Sequence, residues 1–493
     1  MIRVLAVASE MFPLIKTGGL GDVTGGLPPA LNAAGAKTTT MLPGYPAVLT
    51  ALPDATEVHR FPDLFGGPAT ILRGAFPQTV GASLDILTID APHLYTRTGN
   101  PYLGADGREW SDNGIRFAGL GAAAAAIGAG IVPGLEFDIV HAHDWQAAMA
   151  VVYLHFHHGP RPGTILTVHN LAFQGCYPAS LFPRLGLPDS AFTLDGLEYY
   201  SDVSFLKGGL SYADRITTVS PTYAREITGL ENGMGLDGLL RHRQAVLSGI
   251  LNGIDDAVWN PATDAMIPAK FGRGRLTRRP ENKRVLQQRM GLDESPDALL
   301  IGVVSRLTSQ KGLDMLVDQI DTLAAAGMQL AVLGSGDPDL EQAFVAAAEW
   351  HLGSVGCVIG YDETLAHLMQ AGADALLVPS RFEPCGLTQL YALRYGAIPV
   401  VSRVGGLADS VIDANEAALV AGVATGIQFW PTTAEGLQSA LQRLLLLWQD
   451  RPVWDRVQRN GMAADVSWQG SATRYVALYQ SLLAGRAPRE GQT

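Results

Sequence analysis

The stretch from residue 373 to residue 411 constrains the fold most, because its pattern is strand, loop, helix, strand, loop and helix. Its apolar run at 375–379 is typical of a strand that is buried on both faces. After a turn at 381–386, apolar residues recur at helical spacing up to Gly396, which is expected to end the helix. The next apolar run, at 398–401, leads into another helix start. This alternation predicts a parallel sheet that is covered by helices.

The turn that follows the first of these strands is a candidate functional element. In open α/β sheets, ligands bind beyond the carboxyl ends of the strands, which is where this turn lies. It offers the carboxylate of Glu383 and the thiol of Cys385. The amides of Gly386, Leu387 and Thr388 stand at a helix N-terminus, where the helix dipole favours a phosphate. The turn therefore predicts an anion site, and the alternative is a strand-to-helix turn with an exposed glutamate.

The same alternation runs through both halves of the chain, whose 493 residues are too many for one ordinary core. Strands are predicted at 2–8, 84–89, 137–141, 164–168 and 215–219, and then at 299–304, 329–333, 355–360, 375–379 and 398–401. Polar insertions separate the first strands at 52–74 and 92–113. A stretch at 260–279, rich in Pro, Lys and Arg and without a period, is predicted to be a linker or surface arm. We predict two Rossmann-like, doubly wound domains, at 1–253 and 254–472.

Composition excludes several classes of protein. A formal net charge of −12 argues against a nucleic-acid partner, since phosphate affinity comes from Lys and Arg. Cys176, Cys357 and Cys385 are too few and too widely spaced for a disulfide framework or a zinc site, which favours a reducing cytoplasm. The apolar N-terminal run is interrupted at Glu10 and is too short for a signal peptide. The uncharged stretch at 117–135 is mostly Ala and Gly, so a buried helix is expected rather than a membrane span.

A second candidate loop follows the first predicted strand. Lys16, Gly18 and Gly19 stand between that strand and a helix start, and the glycines allow a ligand to approach the backbone closely. The order of residues is not that of a phosphate-binding G-x-x-x-x-G-K-[ST] loop. A surface-loop lysine is the alternative.

These two loops and four further segments resemble the bacterial glycogen synthase and plant starch synthase family. The segments are KTGGLGD at 16–22, HAHDWQ at 141–146, TVHNLAFQG at 167–175, ILNGID at 250–255, SRLTSQKGLD at 305–314 and SRFEPCGLTQL at 380–390. Six segments in the family's order make the resemblance specific. It implies the GT-B fold, in which the two domains face each other across a deep cleft. It also implies that the last segment, 473–493, is a helix that crosses back to the first domain before a frayed tail.

The resemblance implies an activity and a site. The activity is transfer of glucose from ADP-glucose to an α-1,4-glucan, such as glycogen or a maltooligosaccharide, with retention of configuration and release of ADP. The leaving diphosphate gains negative charge, and Arg306 and Lys311 follow a predicted strand and suit that charge. Catalytic roles are implied for Glu383, Arg306, Lys311, His169 and Asp144. Substrate contacts are implied for Lys16, Gly18, Gly19, Asp22, Asn170, Asn252, Tyr361, Cys385, Gly386, Leu387 and Thr388.

The roles of individual site residues leave alternatives. Glu383 as a nucleophile and Glu383 as a stabiliser of positive charge are both compatible with the sequence. Tyr361 is implied to stack on the nucleotide base, and it would otherwise be a core residue. Ser204 stands where many relatives have Asn, so no sugar contact is expected there. His141 and His143 suggest a metal site, but we expect their side chains on opposite faces of a strand, where they cannot share an ion.

The expected cofactors and partners follow from the same residues. No metal and no pyridoxal phosphate are expected, because the cations above can neutralise the leaving group. Small-molecule partners are ADP-glucose, ADP and the glucan, with no nucleic acid and no membrane, and nothing in the sequence predicts an oligomeric state. The rival functions are a UDP-sugar transferase or a glucan phosphorylase of the same fold, and a glucan-binding protein without activity. A binding protein has no need of diphosphate-binding cations, which counts against the last of these.

Overall fold

The protein is described by a computed structural model that covers residues 1–77 and 83–486. It has two compact units: unit 1 comprises Met1–Gly253 and the C-terminal segment from Trp468, and unit 2 comprises Ile254–Ser467. Unit 2 thus ends at Ser467 rather than at 472, because the last helix begins at Trp468. The predicted frayed tail falls largely on residues 487–493, which lie outside the described residues.

Unit 1 is built on one large sheet and one small sheet. Its strands are β1 (Ile2–Val7), β2 (Ala36–Pro43), β3 (Thr56–Phe61), β4 (Ala69–Phe76), β5 (Leu84–Asp90), β6 (Ile139–His143), β7 (Gly163–Val168), β8 (Cys176–Tyr177), β9 (Glu198–Tyr199), β10 (Asp202–Ser204), β11 (Arg215–Thr218) and β12 (Leu247–Gly249). The large sheet has the order β12-β11-β7-β6-β1-β2-β5-β4-β3, and β8, β10 and β9 form a small antiparallel sheet. Strands from β12 to β5 pair in parallel, whereas β4 runs antiparallel to both β5 and β3.

The antiparallel pair corrects the prediction for the stretch at 52–74. This stretch is not a plain polar insertion, because it supplies β3 and most of β4. The β3 side chains are exposed or half-buried, so the apolar pattern that reveals a buried strand is absent. The predicted strand at 137–141 is also displaced, and β6 instead occupies Ile139–His143.

The helices of unit 1 cover both faces of the large sheet, and all but the C-terminal one lie within residues 1–253. They are α1 (Gly19–Ala33), α2 (Pro46–Ala51), α3 (Pro92–Tyr95), α4 (Asn113–Gly128), α5 (Asp144–His155), α6 (Phe205–Tyr212), α7 (Pro221–Glu226) and α8 (Asp237–His242). The Ala- and Gly-rich helix α4 is almost entirely buried and packs against α5, which confirms the expected buried helix within 117–135. Among the helices described, none is long and apolar enough to cross a membrane.

Unit 2 has one sheet in which every neighbouring pair of strands is parallel. Its strands are β13 (Leu300–Val304), β14 (Gln329–Gly334), β15 (Val355–Ile359), β16 (Ala375–Val378), β17 (Ile398–Ser402) and β18 (Ile427–Phe429), in the order β15-β14-β13-β16-β17-β18. Its helices are α9 (Arg279–Met290), α10 (Leu313–Val317), α11 (Ile320–Ala325), α12 (Pro338–Trp350), α13 (Glu363–Gly372), α14 (Thr388–Tyr395), α15 (Gly405–Ser410), α16 (Glu416–Ala421), α17 (Ala434–Gln449) and α18 (Arg451–Ala463). Short 3₁₀ turns occur in unit 1 at Ala179–Leu185, Asp189–Ala191 and Gln244–Val246, and in unit 2 at Leu276–Arg278 and Ser309–Lys311.

Alternating side chains of the unit 2 strands feed two cores. In β14, Leu330 and Val332 enter the core on one face of the sheet, and Ala331 and Leu333 enter the core on the other. Strands buried in this way show continuous apolar runs, which is why the sequence predicted all but β18. The predicted stop of α14 at Gly396 is confirmed, since Gly396 caps that helix with a φ of 69°.

The stretch at 260–279 is packed rather than free, which corrects its prediction as a linker or surface arm. Its side chains Ile267 and Phe271 are buried in a small cluster with Tyr395. The buried carboxylate of Asp264 accepts hydrogen bonds from the Tyr395 hydroxyl at 2.6 Å and from Nδ1 of His367 at 2.8 Å. The few apolar residues of this segment follow no helical or strand period, so the pattern could not reveal their burial.

The last helix, α19 (Trp468–Ala484), belongs to unit 1 and packs against α1. Its first residue, Trp468, fits against Gly26 so closely that a Cβ there would lie 2.3 Å from the indole nitrogen. Further along, the Tyr479 hydroxyl bonds Nδ1 of His141 at 2.9 Å. The helix thus covers the strands that carry several candidate site residues.

Candidate active site

The candidate residues of unit 1 follow neighbouring parallel strands. The loop with Lys16 follows β1, Asp144 follows β6, and His169 and Asn170 follow β7. These three strands are adjacent in the sheet and parallel, so their carboxyl ends share one edge. Asn252 follows β12, the last strand on that side of the sheet.

The loop after β1 is held by a buried carboxylate that was not among the predicted site residues. Glu10 is 2% exposed and accepts hydrogen bonds from the Thr17 amide at 2.5 Å and the Thr17 hydroxyl at 2.6 Å. The Tyr102 hydroxyl also donates to it. A carboxylate shortly after a buried strand was the available signal, although Glu10 was noted only as the residue that interrupts the apolar N-terminal run.

Next to this anchor, Lys16 Nζ donates to Asp22 Oδ1 at 2.8 Å. Gly18 precedes the first turn of α1, and Gly19 begins it. A Cβ added at either glycine would meet no atom of the described residues within 4 Å, so open space adjoins this helix N-terminus. The structure therefore brings four predicted substrate-contact residues into one loop and helix start.

Asp144 lies at the start of α5 in a conformation that few residues adopt. Its φ is +61°, which is the left-handed region, and its side chain is buried. Burial raises the pKa of the Asp144 carboxyl to about 7, although hydrogen bonds from the backbone amides of His169 and Asn170 work against that rise. The amide of His169 reaches Oδ1 at 3.1 Å. Strained, buried carboxylates with a pKa near neutrality are typical of functional sites.

The histidines of β6 correct another expectation. The rings of His141 and His143 are not on opposite faces; their centroids are 4.2 Å apart. Residues two apart in a strand point to the same face, and the expectation overlooked this. His143 Nδ1 lies 3.1 Å from His169 Nε2. Over the part of the chain that the structure describes, no group of three His, Cys, Asp or Glu residues is arranged to hold a metal ion.

Two more residues of unit 1 bear on the predicted site. Asn252 is buried, and its side-chain oxygen has no hydrogen-bond partner among the described residues. Buried polar atoms without partners are rare, and each requires an explanation. Ser204 caps α6, where its hydroxyl accepts a hydrogen bond from the Lys207 amide at 3.2 Å.

In unit 2, the centre of the candidate site is an ion pair between Lys311 and Glu383. Lys311 Nζ lies 2.5 Å from Glu383 Oε2, and the Ser380 hydroxyl donates to the same oxygen at 2.8 Å. Glu383 is only 6% exposed. A buried carboxylate with two donors on one oxygen is held in a single orientation.

Close approach between two loops creates this pair. Gly312 has a φ of +66°, and a Cβ there would lie 2.1 Å from the Pro379 carbonyl oxygen. The turn after Lys311 therefore packs directly on the end of β16. Arg381 reinforces the contact, since its guanidinium binds both oxygens of Asp314 at 2.7 and 2.6 Å.

A third loop fixes the other side of the Glu383 turn. Gly405 has a φ of +40°, and a Cβ at this position would lie 1.9 Å from the Glu383 carbonyl oxygen. The buried amide of Gln389 donates to the carbonyl oxygens of Cys385 at 3.0 Å and Gly386 at 2.9 Å. Cys385 itself is buried.

The remaining predicted residues of unit 2 surround this turn. Gly386, with a φ of +74°, leads into Leu387 and Thr388 at the start of α14, where no described side chain caps the helix. Arg306 follows β13 and Tyr361 follows β15, and both side chains are exposed. The described unit 2 thus joins Lys311, Glu383 and the α14 start directly. It places Arg306 after β13, which is beside β16, and Tyr361 after β15, which is two strands away from β13.

Two family models match the chain. The model described as the starch synthase catalytic domain matches residues 3–242, and that described as glycosyl transferases group 1 matches residues 287–460. The two matches fall within units 1 and 2, respectively.

Similar proteins cover nearly the whole chain. A glycogen synthase of Rhodopseudomonas palustris is 57% identical over 98% of this chain and 99% of its own length. A glycogen synthase of Methylocella silvestris is 56% identical with the same coverage. The solved catalytic domain of starch synthase IV from Arabidopsis thaliana, bound to ADP and acarbose, has a TM-score of 0.87 at 32% identity and covers 98% of this chain and 99% of that one. A sucrose-phosphate synthase from Thermosynechococcus elongatus shares the fold, with a TM-score of 0.59 at 17% identity over 99% of this chain and 100% of that one.

Proposed function

Because this chain belongs to the glycogen synthase and starch synthase family of glycosyltransferases, we propose that it transfers glucose from ADP-glucose to an α-1,4-glucan. Transfer is to the non-reducing end, with retention of configuration and release of ADP. The observation that carries the proposal is the buried pair of Lys311 and Glu383, which sets a cation and a carboxylate at the carboxyl ends of unit 2 strands. The glucan is glycogen or a maltooligosaccharide.

The donor chemistry requires positive charge where the diphosphate leaves. We assign this role to Lys311 and Arg306, aided by the amides of Gly386, Leu387 and Thr388 at the start of α14. Such donors are in place before the reaction and do not need to reorganise when charge develops. They make a metal ion or pyridoxal phosphate unnecessary, and we propose that neither takes part. Tyr361, exposed on the loop after β15, is proposed to stack on the adenine.

Glu383 is proposed to orient the transferred sugar and to stabilise the positive charge that develops on it. Lys311 and Ser380 both bind Oε2. Among the described residues, Oε1 accepts no hydrogen bond, so this oxygen is left for a sugar hydroxyl.

Unit 1 is proposed to bind sugars. Asp144, His169 and Asn170 supply a carboxylate, an imidazole and an amide within one hydrogen-bonded group, and these suit sugar hydroxyls. Lys16, with Gly18 and Gly19 beside it, is proposed to contact the sugar nucleotide. Asp22 and Asn252 complete the proposed substrate contacts.

The proposed place of action is the cytoplasm. Three widely spaced cysteines favour a reducing compartment. Nucleotide sugar and glucan are the partners proposed, without nucleic acid or membrane, and the net charge of −12 supports the exclusion of nucleic acid.

The test is transfer of labelled glucose to glycogen by the purified protein, with ADP-glucose and UDP-glucose compared at equal concentration. Glu383→Ala serves as the inactive control. We expect incorporation from ADP-glucose with an α-configured new linkage by NMR. Absence of transfer from ADP-glucose would refute the proposal, and faster transfer from UDP-glucose would reassign the donor. Phosphate-dependent release of glucose phosphate, with a Schiff-base absorbance band, would identify a phosphorylase instead.

A further inference from the structure

Three histidines of unit 1 form a column that ends at a candidate site residue. His141 lies deepest, and its two ring nitrogens bond the Tyr479 hydroxyl at 2.9 Å and the Thr167 hydroxyl at 2.6 Å. His143 is next, with its ring centroid 4.2 Å from that of His141. His143 Nδ1 then meets His169 Nε2 at 3.1 Å. The column thus connects the core of the sheet to a half-buried histidine at its edge.

All three rings are electrically neutral near physiological pH. Burial lowers the pKa of His143 to about 3, and it lowers the pKa of His141 and His169 well below the usual value. A hydrogen bond between two neutral imidazoles needs one protonated and one bare nitrogen. The bond therefore couples the tautomers of His143 and His169. If Nδ1 of His143 carries the proton, Nε2 of His169 must be bare, and the reverse also holds.

We propose that His143 is a positioning residue, which holds the His169 ring in place and fixes its tautomer through the bond between Nδ1 and Nε2. The inference rests on the proposed function, in which His169 contacts a sugar. With Nε2 occupied by His143, only Nδ1 of His169 is left for a ligand, and this nitrogen has no hydrogen-bond partner among the described residues. A ring with one fixed proton presents one defined hydrogen-bonding character to the sugar.

His143 is also the residue that directly precedes Asp144 in the chain. Strand β6 ends at His143, and the next residue adopts the left-handed conformation whose carboxylate receives the His169 amide. His169 is therefore held at two points, by its backbone through Asp144 and by its ring through His143. Two fixed points define the plane of the ring as well as its location.

The test compares His143→Leu with His143→Asn. The two replacement side chains are nearly isosteric, but the amide of Asn reaches the place of Nδ1 and can bond His169. We expect His143→Leu to lower kcat with ADP-glucose and glycogen on the order of 10- to 100-fold, because small misplacements of site groups have effects of this size. We expect His143→Asn to recover most of that loss. A purely structural role would not distinguish the two variants.

Thr39→Val is the matched control, because it removes a buried hydroxyl that donates to Asp85 at 2.7 Å and that bonds none of the three histidines or their partners. Its melting temperature is expected to fall while its kcat stays near that of the wild type. Equal loss of kcat in His143→Leu and His143→Asn would overturn the proposal. Wild-type kcat in His143→Leu would do the same.

A second measurement is independent of activity. In the wild-type protein labelled with ¹⁵N in its histidine rings, long-range ¹H–¹⁵N spectra report which ring nitrogen carries the proton. We expect one tautomer for His169, identified by the signals lost in His169→Leu, and averaged signals would overturn the proposal. A wild-type protein that transfers no glucose would refute the proposed function, whereas these spectra would still test the bond between the histidines.

Discussion

Replacement of Lys311 by Ala tests the centre of the proposed donor site. The side chain has two partners in the proposed reaction: Glu383, whose Oε2 lies 2.5 Å from Nζ, and the diphosphate that leaves. Both side chains are largely buried, at 17% exposure for Lys311 and 8% for Glu383. Lys311→Ala therefore removes the positive charge that stabilises the leaving diphosphate. It also leaves the buried carboxylate of Glu383 without its cation.

The two effects are similar in size but have different observables. Removing one preorganised donor to a developing negative charge costs about 3–4 kcal/mol in the transition state, which lowers kcat roughly 10²- to 10³-fold. Breaking a buried ion pair by deleting one partner costs about 3–5 kcal/mol of folding stability. Here the stability loss is expected at the low end of that range, because the Ser380 hydroxyl still donates to Glu383 at 2.8 Å.

The assay is steady-state glucose transfer with varied ADP-glucose, together with thermal unfolding. We expect Lys311→Ala to lose kcat far more than it raises KM, since charge on the diphosphate grows only towards the transition state. Lys311→Arg, which keeps the charge, is the matched control and should retain more activity than Lys311→Met, which keeps only the length.

Melting temperatures distinguish the loss of the ion pair with Glu383 from the loss of the contact with the diphosphate. In the double variant Lys311→Ala with Glu383→Gln, the unpaired buried charge disappears, so the melting temperature should recover relative to Lys311→Ala. Near-normal kcat in Lys311→Ala would refute the diphosphate role. A melting temperature that does not recover would refute the inference that the pair stabilises unit 2 through charge.

Cys385, Asp144 and His367 can each be tested by a single substitution. Cys385→Ser should keep substantial transfer activity while Glu383→Ala loses nearly all of it, and complete loss in a folded Cys385→Ser protein would make the thiol a participant. The pKa of about 7 for Asp144 predicts that kcat/KM rises with pH as this carboxyl ionises, and that Asp144→Asn abolishes this pH dependence among its other losses. For His367, burial is the largest single effect and opposes the charged ring, but the hydrogen bonds and negative charges of Asp264 and Glu363 together outweigh it and raise the pKa from 6.5 to about 9. The stability gained from the charged ring is roughly 3 kcal/mol at most; it is present below pH 6.5, the unfolded pKa, and is lost as pH rises through about 9. The melting temperature of the wild type should fall over this pH range, and that of His367→Gln should not.

The sequence predicted the strands that are buried on both faces, because such strands have continuous apolar runs. It missed β2, whose threonines at 38–40 are buried. The buried hydroxyl of Thr39 is satisfied by a hydrogen bond that it donates to Asp85 on the neighbouring strand at 2.7 Å. A partner so distant in sequence leaves no local pattern, so a polar strand of this kind cannot be recognised by periodicity.

Candidate residues directly after predicted strands were identified because topology alone sends them to one edge of a sheet. Lys311 and Glu383 illustrate this, since each follows an apolar run, and the sheet order places β13 beside β16. Glu10 and Ser380 were missed as members of the site, because their roles depend on which hydrogen-bond donor or acceptor lies opposite them. His143 was misjudged for a simpler reason. Residues two apart in a strand lie on the same face, but His141 and His143 were expected on opposite faces.

The contacts that complete the unit 2 site depend on glycines more than on charged residues. Gly312 brings the Lys311 turn onto the Pro379 carbonyl, and Gly405 brings the α15 start onto the Glu383 carbonyl, each with a positive φ and no room for a Cβ. A side chain at either position would separate the loops before any ion pair formed, whatever the charges nearby. The short distance between Lys311 and Glu383 is therefore a consequence of backbone approach, and the ion pair is the result of that approach rather than its cause.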